Sequence, residues 1–299
     1  MAPGPGRPGP APVLVTGGTG TLGRLVVPRL RAAGCRVRVL SRHPHAGQEA
    51  IEYVTGDLST GAGVEAAVDG MATIVHCASG YRGDPEAAGT LVRAARAGAG
   101  VGTGVHLVFV SIVGVDRLPV RGPLDRGMFG YLERKLAAEQ VIARSGLPWT
   151  TMRATQFHDL VLMVAKRLGG LPVVPVPAEL RLQPVDPDEV AGQLVELALG
   201  EPAGLVPDLA GPRAYTVAEL IRSYLRACHR YRPMLPVWLP GAAARAARAG
   251  ALLPIGGSAR GPAPGGTAGR SWEEFLADQI KAERAGTGGV EADRVASRR

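Results

Sequence analysis

The segment Thr16-Gly17-Gly18-Thr19-Gly20-Thr21-Leu22-Gly23 constrains this chain more than any other. It contains Gly18-x-Gly20-x-x-Gly23 and, overlapping it, Gly17-x-x-Gly20-x-x-Gly23. An apolar run at 13–16 precedes it, and an amphipathic stretch at 22–33 follows. Strand, glycine turn and helix in that order are the setting in which such a motif cradles a dinucleotide. Glycine permits the tight turn, the close approach of backbone to a pyrophosphate, and the packing of helix on strand. The helix N-terminus then presents unpaired N–H groups and a positive dipole end to the phosphates. Gly17, Thr19, Gly20, Thr21, Leu22 and Gly23 are therefore the first candidates for cofactor contact.

Short apolar runs recur at 36–41, 53–54, 72–77, 105–111 and 149–153. Between them, 85–99 and 131–145 have helical composition, the second stopped by Gly146 and Pro148. Strands alternating with helices predict a parallel sheet, and short uninterrupted apolar runs predict one buried on both faces. The predicted class is α/β, a Rossmann-type doubly wound parallel sheet. After about residue 155 the rhythm weakens. Helices are expected at 159–168, 186–199 and 242–249, a strand at 205–209, and a capping box at Thr216 and Glu219. Ser271 caps a last helix that offers Trp272 and Phe275 for packing, and 254–269 reads as a loop. The expected organisation is a disordered leader at 1–11, an NAD(P)-binding Rossmann domain at 12–155, a smaller, mostly helical substrate part at 156–284 integrated with it, and a disordered tail at 285–299.

Composition narrows the function classes. A formal charge of +8 raises the question of nucleic acid. The arginines are spread along the chain and no basic run is interleaved with aromatics, so a solvated surface is expected and no nucleic-acid partner. Cys35, Cys77 and Cys228 have neither metal-ligand nor disulfide spacing, so no metal is expected. Thiols beside apolar strands suit a reducing cytoplasm. The apolar stretch from Leu160 is broken by Lys166 and Arg167, and the start of the chain lacks a signal-peptide core, so no membrane partner is expected. A small-molecule substrate is expected; a homodimer or a protein partner is left open.

Cofactor type is read at the end of the second strand. An NAD site places a carboxylate there for the ribose 2′-hydroxyl. This chain has Ser41-Arg42 instead, and Arg42 can pair with a 2′-phosphate, an ordinary surface charge being the lesser alternative. NADP(H) is the expected cofactor, with NAD(H) possible. After the third strand, Asp57 and Leu58 would face the adenine, Asp57 accepting from its amino group or only forming the turn. Ala78 and Ser79, after the fourth strand, would pass close to the cofactor ribose.

The glycine turn, Gly56-Asp57-Leu58, the strand Ala72-Thr73-Ile74-Val75-His76-Cys77 and Tyr131-Leu132-Glu133-Arg134-Lys135 together resemble the short-chain dehydrogenase/reductase superfamily, in its atypical NmrA-like branch. The similarity runs over roughly residues 12–276 and includes 147–160 and the segment from Gln183. It implies substrate bound between the Rossmann domain and the smaller part. It also implies a Tyr-x-x-x-Lys pair with an upstream Ser, matched here by Tyr131, Lys135 and Ser111. Tyr131 would exchange a proton with the substrate oxygen. Lys135 would lower the phenol's pKa and hold the ribose hydroxyls, and Ser111 would fix the substrate oxygen. Lys135 is one of three lysines in a chain that otherwise uses arginine.

Two departures stand out. Arg153-Ala154 replaces the Arg-Pro common after the sixth strand, and the Gly/Pro-rich stretch 116–130 reads as a lid or a loose connection. Gln156, Phe157 and His158 lie where ligands bind in such sheets and are candidates for the substrate pocket, although His158 could serve structure alone. The leading expectation is an NADP(H)-dependent oxidoreductase acting on a small carbonyl, hydroxyl or quinone-like compound. A non-catalytic NAD(P)-sensing regulator is the alternative, and sugar-nucleotide epimerisation the third.

Overall fold

The computed structural model describes residues 11–45, 51–78, 84–98, 104–255 and 269–283. The expected leader over 1–10, Ser79, most of the expected loop at 254–269 and the expected tail at 285–299 lie outside them. Seven parallel strands form the central sheet in the order β3-β2-β1-β4-β5-β6-β9. They are β1 (Val13–Thr16), β2 (Val37–Ser41), β3 (Ile51–Thr55), β4 (Thr73–His76), β5 (His106–Ile112), β6 (Trp149–Ala154) and β9 (Gly204–Leu205). The chain winds outward from β1 to β3, then returns to lay β4, β5 and β6 on the other side. The reversal between β1 and β4 opens a crevice at the carboxyl ends of the strands.

Alternation within each strand builds two apolar layers, because successive side chains point to opposite faces. Val13, Val15, Val75 and Val108 pack against α1 (Gly23–Ala32) and α6 (Pro187–Leu199). Leu14, Ile74, Leu107 and Phe109 pack against α2 (Val64–Val68), α3 (Asp84–Gly98) and α4 (Gly122–Ala143). The sheet is covered on both sides, as the uninterrupted apolar runs require.

The remainder is largely helical. It comprises α5 (His158–Gly169), α7 (Val217–Ala227), α8 (Ala242–Arg248) and a final helix, α9, over 272–283. Two small sheets join them: β7 (Val174–Pro177) runs parallel to β11 (Met234–Val237), and β8 (Arg181–Leu182) antiparallel to β10 (Tyr215–Thr216). Trp272, Phe275 and Leu276 of α9 close a core of their own with α5 and α7. Thr216 and Glu219 form the expected capping box, and the Ser271 hydroxyl accepts from the Glu274 N–H. Among the described residues no helix is long and apolar enough to cross a membrane.

One expectation fails. From Gly122 on, the stretch 116–130 is not a loose connection, because α4 already begins there. Pro123 occupies the first turn, and the Asp125 carboxylate accepts from the Arg121 N–H. Phe129 is buried with Leu118 against Ala243, Ala244 and Ala247 of α8. This packing outweighs the low helix propensity of Gly122, Gly127 and Gly130.

Candidate functional site

The crevice is a cleft of about 750 Å³, and the glycine turn forms one wall. Gly17 sits at φ +69°, and a Cβ on it would lie 2.6 Å from the Ala78 backbone nitrogen. Only glycine allows this turn to press so closely on the end of β4. A Cβ on Gly23 would lie 2.2 Å from the Gly17 carbonyl oxygen, so Gly23 seats α1 under the turn rather than facing the cleft. The Gly20 N–H donates to the Gly17 carbonyl at 2.9 Å. Thr16 Oγ1 meets His76 Nδ1 at 2.7 Å, tying the ends of β1 and β4 together.

Farther along the wall, Ser41 Oγ accepts from the His43 N–H at 3.2 Å and shapes the turn that carries exposed Arg42. Asp57 Oδ1 accepts from the N–H and hydroxyl of Ser59, both at 2.8 Å, and these bonds hold its carboxyl below the usual range. Asp57 thus forms its turn and also lines the cleft with Ser41, Arg42, Leu58 and Ala78.

The opposite end is built by β5, α4 and β6. Ser111 is the penultimate residue of β5, and its hydroxyl is buried with no hydrogen-bond partner among the described residues. Tyr131 and Lys135 are one turn apart on α4, and both line the cleft. Lys135 Nζ lies 5.9 Å from the Tyr131 ring centroid and 4.7 Å from that of Phe109. It donates to the Val110 carbonyl at 3.4 Å and pairs with Asp84 Oδ2 at 3.3 Å. Both side chains of that pair are 2% exposed. Burial pushes the ammonium's pKa down, and the Asp84 carboxylate opposes the shift. Burial and the nearby Lys135 together hold His76 down to about 3, so it is neutral, and burial raises the Cys77 thiol to about 12.

A family profile described as NAD(P)H-binding matches residues 17–174. The (4-alkanoyl-5-oxo-2,5-dihydrofuran-3-yl)methyl phosphate reductase of Streptomyces griseus is 32% identical over 213 residues, which cover 69% of this chain and 70% of that one. The chain belongs to the NAD(P)H-binding family. In fold it is similar to an NADPH-dependent quinone oxidoreductase of Escherichia coli complexed with NADPH, at TM-score 0.73 and 18% identity over 90% of this chain and 99% of that one. It is also similar to a nucleoside-diphosphate-sugar epimerase of Staphylococcus aureus, at TM-score 0.69 and 17% identity over 89% of this chain and 99% of that one.

The residues present suit the family's cofactor. The glycine turn leaves no room for Cβ atoms where a pyrophosphate would lie against backbone, and Thr21 and Leu22, at the start of α1, line the same wall. The orphaned Ser111 hydroxyl and the buried Gln156 Oε1, also without a hydrogen-bond partner among the described residues, mark the other end as a place for a polar ligand. Gln156 and Phe157 line the cleft.

His158 does not. It is fully buried on the far side of the β6–α5 turn, its ring 4.9 Å from Phe275 and 6.0 Å from Trp272. Its place in the pocket is corrected: as the first residue of α5 it turns into the C-terminal core, and burial holds it down to about 4. Arg153 also serves the interior. It binds both oxygens of Glu139, at 2.9 and 2.7 Å, and Asp116 at 2.7 Å.

Sequence reading missed Asp84 as a site residue. It starts α3, where acids are common helix-capping residues, and nothing in its spacing links it to Lys135.

Proposed function

We propose that this chain is an NADP(H)-dependent reductase of a small carbonyl or quinone-like compound, working in the cytoplasm. One observation carries the reading: Tyr131, Lys135 and the Ser111 hydroxyl, without a hydrogen-bond partner among the described residues, lie in the same cleft as the glycine turn. A bound nicotinamide would supply hydride to the substrate carbon. Tyr131 gives its proton to the substrate oxygen, and the Lys135 ammonium stabilises the negative charge left on the phenol oxygen. The Ser111 hydroxyl donates a hydrogen bond to the same substrate oxygen, fixing its orientation. Ile112, Phe157 and Leu160 give that end of the cleft an apolar lining. Arg42 favours the 2′-phosphorylated cofactor. The Streptomyces relative, a reductase by name, and the NADPH-dependent quinone oxidoreductase support the same class of reaction.

The test is NADPH oxidation with a panel of quinones and unsaturated carbonyls. Tyr131→Phe should lower turnover by about 10²- to 10⁴-fold while leaving NADPH affinity intact. Cofactor binding without turnover in the wild type would replace this reading with that of a sensor.

A further inference from the structure

Burial disfavours the charged form of Lys135 and lowers its pKa. The side chain is 2% exposed and sits over the ring of Phe109. The titratable groups around it come from several elements. From the end of β4 come His76 and Cys77, both held neutral by burial. From α4 itself come Tyr131 and Glu139, and Glu139 is already bound through both oxygens to Arg153 of β6. From α3 comes Asp84, whose carboxylate pairs directly with Nζ and which lines the cleft with it. Among the described residues, Asp84 is the carboxylate within ion-pair reach of Lys135. A buried cation without such a partner is costly and sheds its proton instead.

We propose that Asp84 is a positioning residue of the site, whose carboxylate holds the Lys135 ammonium charged and fixed beside Tyr131. The proposal rests on the reading of Tyr131 and Lys135 as the proton-transfer pair. A neutral amine in the same place would not stabilise the phenolate, so Asp84 acts on the reaction only through Lys135. Its place at the first turn of the fifteen-residue helix α3 suits this role, because the helix N-terminus favours the ionised carboxylate.

The chain's three lysines make the test tractable. In protein carrying ¹³C,¹⁵N-labelled lysine, the Lys135 signals are assigned by their loss in Lys135→Arg. The wild type at neutral pH should show the ¹⁵N shift of a charged Nζ; that of a neutral amine overturns the proposal, whatever any variant does. In Asp84→Asn the Lys135 titration midpoint should fall by about 1 to 3 pH units. Asp84→Glu should bring it back, and an unmoved midpoint in Asp84→Asn overturns the proposal.

In turnover, the alkaline limb of kcat/KM should move to lower pH in Asp84→Asn and recover in Asp84→Glu. Loss by the same factor at every pH, with the limb unmoved, means that Asp84 only braces α3 against α4, and overturns the role. Absence of turnover in the wild type would sink the functional reading alone, with the lysine spectra still deciding whether Asp84 holds the charge.

Discussion

One face of helix α4 carries both Lys135 and Glu139, open to the cleft on the Lys135 side and closed on the Glu139 side, and the two place charge in different ways. On the closed side, Glu139 and Asp116 grip Arg153 with three hydrogen bonds of 2.7 to 2.9 Å. On the open side, one turn earlier, Lys135 is held at 3.3 Å by Asp84 and at 3.4 Å by a carbonyl, at the edge of the cleft. The short, bidentate geometry is that of a guanidinium whose bonds are completed inside the fold. The longer contacts belong to a compact ammonium placed where a ligand would come. Residues on the closed side should therefore govern stability, and residues on the open side should govern binding and turnover.

The largest effect that would break this division concerns Arg153. Arg153→Met leaves the buried Glu139 without its cation and Asp116 with only the longer contact to Arg117 at 3.8 Å, and should cost about 3 to 5 kcal/mol in urea unfolding. NADPH affinity of the folded fraction should stay at the wild-type value. A loss below about 1 kcal/mol, or a large loss of NADPH affinity in a stable variant, would show that the closed side is not separate from the site.

A smaller effect comes from His158, two residues past the cleft-lining Gln156 and facing the closed C-terminal core. The unfolded chain takes up this proton near 6.5 and the folded one near 4, because burial disfavours the imidazolium. Between those values the unfolded state binds more protons, so stability falls as pH drops through the window. The share lost by pH 5 is about 2 kcal/mol relative to pH 7. His158→Leu should remove that share, flattening the difference between unfolding curves at pH 7 and pH 5. His76, held low as well, keeps its own part of the slope in both proteins. A variant whose acid sensitivity matched the wild type's would place His158 in contact with water or ligand after all.

Local patterns made much of this legible. The glycine turn, the strands from β1 to β6 and the capping box at Thr216 are set by neighbours a few residues apart, and each lay close to where its pattern indicated. Features that depend on distant partners were hidden. The early start of α4 comes from packing on α8, more than a hundred residues later, against its own glycines. Strands β7 and β11, each carrying proline, pair across about sixty residues of chain with no shared periodicity. Asp84 and the inward turn of His158 are likewise products of tertiary contact. The Tyr-x-x-x-Lys spacing indicated where Lys135 would point but not what would hold it there.

The smallest effect tests the open side at its rim. Arg42 is exposed, and its replacement by alanine should leave the unfolding transition within about 0.5 kcal/mol of the wild type. A charge-assisted bond to a 2′-phosphate contributes about 1.5 to 3 kcal/mol, so NADPH affinity should fall by about tenfold or more. NADH, which lacks that phosphate, should bind Arg42→Ala nearly as it binds the wild type. Raising the salt should narrow the wild-type preference, because an exposed pair is screened. The informative result is the ratio of the two affinities. If both cofactors weaken together, Arg42 supports the turn after β2 rather than reading the ribose. If the wild type shows no preference, Arg42 does not read the 2′-phosphate.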